Sequence, residues 1–281
     1  MHPVAIVLVV TAALAHAGWN VCAKRIPHGG AALVWLYGTV AIALCVPLAL
    51  VDVLVSGHEP TTNWLVATAL SGLLHLTYFI LLQRGYAVGD LSVVYPLARG
   101  SGPALAVLAA VVVLGERPGV LDLVGAGIVV VGILVIGGIG SARSVGVLYG
   151  LATGALIAAY TLWDAYAVTT LAVPPLVLLV GAVLGESLLL SPVALARRAS
   201  IAALWREHWR TVIVIAVLTQ LAYLLVLLAM RIAPVSMVAP TRELSIVFAT
   251  LAAWLVLGEP HPGRRLFGAA VVVAGVIAIA G

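Results

Sequence analysis

Apolar residues arrive in this chain in blocks of about 20, the length that carries a helix across ~30 Å of hydrocarbon at 1.5 Å per residue. Short polar junctions separate them. The pattern predicts ten membrane-spanning helices, near residues 3–23, 31–55, 64–83, 92–114, 121–139, 147–164, 174–195, 211–230, 236–257 and 265–281. The blocks are apolar all round rather than striped on one face, as a helix in lipid requires and a surface helix of a soluble protein does not. The predicted fold class is therefore an all-α polytopic membrane protein with ten transmembrane helices. The stretch 196–210 is the only junction long and polar enough to be more than a turn. Its Arg197, Arg198, Trp205, Arg206, Trp209 and Arg210 suit the headgroup layer, and it is expected to be an interfacial loop.

Composition agrees: 64% of residues are hydrophobic, only 9% are charged and the mean hydropathy is +1.23. Cys22 and Cys45 fall inside spans, with neither the number nor the spacing of a disulfide framework or a metal site. Ala15-His16-Ala17 mimics a signal cleavage site, but Met1-His2-Pro3 lacks a side-chain lysine or arginine, so the first span is read as retained. The net charge of +4 gains meaning loop by loop. Alternate loops hold Lys24, Arg25, Arg84, Arg143, Arg197, Arg198, Arg206, Arg210, Arg264 and Arg265 on one side, against Arg117 and Arg231 on the other. Positive residues stay cytoplasmic, so the count places both termini outside. The basic balance is thus explained by the membrane, without a nucleic-acid partner.

The polar residues inside the spans reveal a duplication. Ser92-Val93-Val94-Tyr95-Pro96 followed by Arg99 is answered by Ser236-Met237-Val238-Ala239-Pro240 followed by Arg242. Leu114-Gly115-Glu116 is answered by Leu257-Gly258-Glu259, Trp19-Asn20 by Trp163-Asp164, and Gly125 with Gly132 by Gly268 with Gly275. Special residues in one order argue for two related copies, residues 1–140 and 145–281, of five helices each. Five is odd, so the second copy must thread the membrane in the opposite sense. Inverted repeats place a substrate site between the halves, near the midplane.

Ten helices in two such copies, each with a proline and then an arginine in its fourth helix and Leu-Gly-Glu at that helix's end, resemble the drug/metabolite transporter superfamily, EamA type. His16-Ala17-Gly18-Trp19-Asn20 followed by Lys24 is similar to a subgroup of it. The resemblance implies a carrier of small metabolites, often an exporter of amino acids or related compounds, in a bacterial inner membrane. It also implies cytoplasmic termini, against the charge count. Small four-helix relatives bind cations through an acid in the first helix, where this chain offers His16 and Asn20.

An arginine inside hydrocarbon costs about 2.5–3.5 kcal/mol on insertion scales and almost always faces a bundle interior or a wet cavity. Arg99 and Arg242 are thus expected to line a cavity, one toward each mouth, with Tyr95 nearby. Arg99-Gly100-Ser101-Gly102-Pro103 and Pro240 predict irregular backbone beside both. Glu243 and Glu186 are candidate counter-ions, and candidates for proton coupling. His16, Trp19 and Asn20 share one face of the first helix; His75 with Tyr78, and Gln220 with Tyr223, give half-polar faces elsewhere. Together they suit a zwitterionic or anionic metabolite, its carboxylate on an arginine. Asp164 is placed near a helix end, within reach of water, and the glycines of the fifth and tenth spans are assigned to helix packing.

The expectation is a secondary transporter, monomer or homodimer, that moves a small molecule through the lipid bilayer by alternating access, without a cofactor. No nucleotide-binding Gly-x-x-x-x-Gly-Lys run occurs to power it. The alternatives are a flippase for a lipid-linked sugar and a membrane-embedded enzyme. The enzyme would need a convergent acid, base or metal cluster that the sequence does not offer.

Overall fold

A computed structural model describes residues 1–26, 30–137, 144–255 and 263–280. The first copy supplies α1 (Pro3–Lys24), α2 (Gly30–Ser56), α3 (Thr62–Val88), α4 (Leu91–Val113) and α5 (Val120–Gly137). The second supplies α6 (Ser144–Thr169), α7 (Pro175–Ala196), α8 (Arg198–Met230), α9 (Val235–Thr241), α10 (Leu244–Leu255) and α11 (Gly263–Ala280). Ten segments are long and apolar enough to cross a membrane, the ninth built from α9 and α10 end to end. Many large apolar side chains face outward, Leu54, Val55, Leu65, Val112 and Leu255 among them. Lipid is the solvent that tolerates such a surface.

The copies interleave rather than sit side by side. The main helix contacts run between copies and occur in exchange-related pairs: α4 on α6 is matched by α1 on α10, α1 on α8 by α3 on α6, and α3 on α7 by α2 on α8. The fifth helices pack on each other, α5 against α11, as do the second helices, α2 against α7. That pairing is what a twofold relation between inverted repeats produces. At the α5–α11 seam a Cβ on Gly125 would lie 2.7 Å from the carbonyl oxygen of Gly275, and one on Gly275 equally close to that of Gly125. Backbone on backbone explains why these positions are glycine.

Three features differ from the sequence reading. Residues 198–210 are not a loop: they form the start of α8, which bends at His208 (φ −127°, ψ 18°) before entering the membrane. Trp205 and Trp209 remain exposed there and Arg210 lies over the Trp209 ring at 5.2 Å, so an amphipathic helix serves the headgroup layer as well as a loop would. The irregular backbone expected beside Arg99 is absent, since α4 continues through Pro96 and Pro103. Of the two arginine-bearing spans it is the ninth that breaks, between Thr241 and Leu244.

The Leu-Gly-Glu run of the first copy has a structural meaning. Gly115 takes φ +69°, the left-handed residue that ends α4, and Glu116 N–H turns back to donate to Ala110 O at 3.1 Å. The turn aims Glu116 across to the second copy, where its carboxylate accepts the N–H groups of Val235 (2.7 Å) and Ser236 (2.9 Å) at the start of α9. Pro234 provides no side-chain cap there, so a residue of the other copy does. The matching Leu257-Gly258-Glu259, with Arg143, lies outside the described residues.

Candidate functional site

Between the copies lies a cavity of about 460 Å³. His16, Trp19, Asn20, His75, Tyr78, Tyr95, Arg99, Glu186, Gln220, Tyr223 and Arg242 all line it, drawn from α1, α3, α4, α7, α8 and the α9–α10 break. Of the residues singled out in the sequence only Glu243 does not, lying just behind the wall at 1% exposure. Sequence reasoning passed over Tyr37, Gln83, Tyr86 and Tyr160, which also line it. Each looks like one more half-polar residue in a greasy segment, and only tertiary packing distinguishes it.

The cavity is one-sided. Its lining reaches Ala23 and Gly30 at the α1–α2 junction and Tyr86 and Tyr95 at the α3–α4 junction, which lie on the same side of the bundle. Toward the opposite side the helices close on a packed apolar core that includes Val9, Ala67, Ala110, Val168, Leu178, Leu227 and Val238. The Glu116 cap on α9 sits at that closed end.

The two arginines do not point one to each mouth as expected. Arg99 Nη2 lies 2.9 Å from Glu243 Oε2, and Arg242 Nε lies 3.8 Å from Glu243 Oε1, so both converge on one carboxylate. Arg99 also donates to Ser245 Oγ at 3.0 Å. A lone charge is too costly to bury, which draws the three together. Adjacent residues of a regular helix diverge by about 100°, so Arg242 and Glu243 could not both face one centre without the break. The helix is interrupted where the charges require it, with Glu243 N–H donating to Pro240 O and Ser245 N–H to Arg242 O in tighter turns.

Two arginines on one glutamate leave the cluster with a formal excess of one positive charge. Arg99 Nε and Arg242 Nε are buried without a hydrogen-bond partner, as is the indole N–H of Trp19. Glu186, the other proposed counter-ion, pairs with neither arginine and stands as a separate carboxylate on the lining. The remaining lining is aromatic and hydrogen-bonding. Trp19 sets its ring edge-on to His16 at 5.2 Å, and Asn20 Nδ2 donates to His16 O at 2.7 Å, which fixes that face of α1.

Asp164 is a correction. It does not reach water: α6 continues to Thr169, and the side chain is fully buried. The Tyr223 hydroxyl donates to its Oδ2, while Oδ1 has no partner. His75 Nε2 is 4.0 Å from Oδ2, and the His75 ring packs on Tyr160 at 4.2 Å between centroids. The duplication held a signal for this residue, because Asp164 answers Asn20 on the cavity-facing helix of the other copy. Among the described residues no group of three or more His, Cys, Asp or Glu could hold a metal ion.

The EamA-like transporter family matches this chain twice, over residues 3–138 and over residues 144–281. The chain belongs to that family. It is also 39% identical, over 56 residues and 20% of its length, to the probable 4-amino-4-deoxy-L-arabinose-phosphoundecaprenol flippase subunit ArnE of Salmonella enteritidis PT4 (strain P125109). The same figures hold for the protein of that description in Salmonella gallinarum (strain 287/91 / NCTC 13346). The match spans half the length of these relatives. A solved structure described only as a crystal structure of a protein superposes with a TM-score of 0.76 at 18% identity, over 98% of this chain and 95% of that one. The likeness extends the shared fold to nearly the whole molecule. In this family and these relatives the activity is transport or flipping rather than enzymatic conversion.

Proposed function

We propose that this EamA-family transporter is a secondary carrier for a small zwitterionic or anionic metabolite of amino-acid-like size, working by alternating access and serving export from a bacterial cell. The observation that carries the reading is the Arg99–Glu243–Arg242 cluster on a one-sided cavity of about 460 Å³. The excess positive charge of the two arginines on the lining is complementary to a carboxylate or phosphonate, which a guanidinium binds in a fork. Tyr78, Tyr95, Gln220 and His16 supply apolar area and hydrogen bonds for the rest of the solute. A cavity open to one side and sealed by packed side chains on the other is what one end-state of an alternating-access cycle requires.

The lysine and arginine count favours the sealed side, with both termini, lying outside the cell. On that orientation the open mouth faces the cytoplasm, as an exporter awaiting its solute would. The membrane is the bacterial inner membrane on the family resemblance, and the protomer is monomeric or a homodimer.

The test is thermal stabilisation of the purified protein by amino acids, organic acids, phosphonates, nucleosides, cationic drugs and lipid-linked sugars. A soluble anion or zwitterion that stabilises wild type but not Arg242→Ala supports the carrier. Stabilisation that survives Arg242→Ala removes this arginine from the site. The second reading, a flippase for a lipid-linked sugar, is favoured by the partial match to the ArnE proteins. It predicts stabilisation by lipid-linked compounds only.

A further inference from the structure

His75 and Asp164 face each other across α3 and α6 in a way that leaves a proton to be accounted for. His75 Nδ1 lies 2.9 Å from the backbone carbonyl of Ser71, a group that can only accept. Nδ1 therefore carries the hydrogen, and in a neutral imidazole Nε2 is left as a lone pair. Asp164 Oδ2 lies 4.0 Å from that nitrogen. Two acceptors face each other at full burial of the acid, an arrangement that repels unless one more proton belongs to the pair. Asp164 Oδ2 accepts from Tyr223, the Ser71 hydroxyl is also within its reach, and Oδ1 meets no donor at hydrogen-bond geometry.

The geometry points to a proton-binding site shared by His75 and Asp164, loaded from the cavity through the exposed edge of the His75 ring. The ligand is a proton from cavity water. It adds to Nε2 or to the carboxylate, and no other bond forms or breaks. Only His75 of the pair lines the cavity, with 20% of its side chain exposed, whereas Asp164 is sealed behind it. The groups facing the pair are Ser71 on α3, Tyr160 on α6, Glu186 on α7, Tyr223 on α8 and Arg242 at the α9–α10 break. Of these Glu186 is the other carboxylate, and it lines the cavity from α7. With the proton bound the pair is formally neutral; without it, one negative charge is buried beside the solute cavity. Occupancy of the site thereby alters the charge met by a solute on Arg242. This inference rests on the carrier reading for its use, though not for its existence.

Proton binding can be counted without knowing the solute. The purified full-length protein is titrated over about pH 5 to 9 in detergent, and the protons bound per molecule are compared among wild type, Asp164→Asn, His75→Gln and the double variant. The expected result is that each single variant loses the same one proton and the double variant loses no more, because the two share it. Loss of no proton in either, or of two independent protons in the double, overturns the proposal. So does a wild-type titration displaced by replacing potassium with sodium, which would make the site a sodium site. Tyr223→Phe serves if the other variants fold poorly: it keeps the proton count and shifts where the proton titrates, and an unchanged titration counts against the site. A shared proton with no stabilising solute in any panel would defeat the carrier reading and leave the site standing. A stabilising solute with no shared proton would do the reverse.

Discussion

Arg99 of the first copy and Glu243 of the second form the closer ion pair of the buried cluster, at 2.9 Å, while Arg242 stands off at 3.8 Å from the other oxygen of the same carboxylate. The distances assign different work to two arginines that the duplication presents as equivalent. Arg99 neutralises Glu243, and Arg242 is the cation in excess.

Removing the shared anion should therefore hurt more than removing the spare cation. Glu243→Gln leaves two guanidinium groups buried with no counter-charge and is expected to destabilise by about 3 to 5 kcal/mol, the range for breaking a buried pair. Arg242→Gln leaves Arg99 and Glu243 paired and should cost less than half of that. Thermal unfolding of the detergent-purified variants reads the difference. An Arg242→Gln loss equal to that of Glu243→Gln would mean that Glu243 does not hold Arg99 as described.

The α5–α11 seam predicts a contrast among glycines. A Cβ on Gly132 would meet the carbonyl oxygen of Gly268 at 2.9 Å and the backbone nitrogen of Val272 at 2.7 Å, and neither can move without the helix. Gly132→Ala should cost about 1 to 3 kcal/mol through separation of the helices. Gly127 has nothing within 4 Å, so Gly127→Ala should be neutral or stabilising by up to about 1 kcal/mol. Equal melting temperatures for the two variants would show that the seam is not close-packed.

Access from the two sides supplies a third test. Ala23 lines the open end of the cavity, while His2 is exposed before α1 at the other end. In a background where Cys22 and Cys45 are serine, Ala23→Cys should react with a membrane-impermeant maleimide only in inverted vesicles, and His2→Cys only in intact cells. A reversed pattern would turn the charge-based orientation over and make the cavity outward-facing. Labelling of both from one side would contradict the threading of α1 itself.

Much of this molecule was legible in its sequence because lipid imposes a simple rule: a polar side chain inside an apolar block must have a partner or a cavity. Arg99, Arg242, His75 and Gln220 were found that way, and the cavity gathers them. The rule names residues without saying who partners whom. The sequence showed the same Ser-x-x-x-Pro run before both arginines and a glutamate, Glu243, after the second alone, but not that this carboxylate pairs more closely with Arg99 of the other copy. Irregular backbone is found beside Arg242, where Pro240 pointed to it, but not beside Arg99, where α4 carries Pro96 and Pro103 without a break. Asp164 was misjudged by helix length, because α6 runs five residues beyond it where the hydropathy pattern ended the span.

Glu116 gives the last prediction, because its two hydrogen bonds tie the copies together at the sealed end. Charge-assisted bonds to a helix N-terminus contribute about 1.5 to 3 kcal/mol when the acceptor is ionised. Asp122 is the control: its carboxylate accepts Gly119 N–H at 2.7 Å within one exposed turn, with no link between copies. Asp122→Asn should leave both stability and labelling of Ala23→Cys near wild type. Glu116→Gln should lower the melting temperature and also slow that labelling, since loosening α9 favours the conformation in which the sealed end opens and the Ala23 end closes. A fall in stability with unchanged labelling would reduce Glu116 to a helix cap. Unchanged values of both would mean that packing of Val235 and Val238 in the apolar core holds α9 without it.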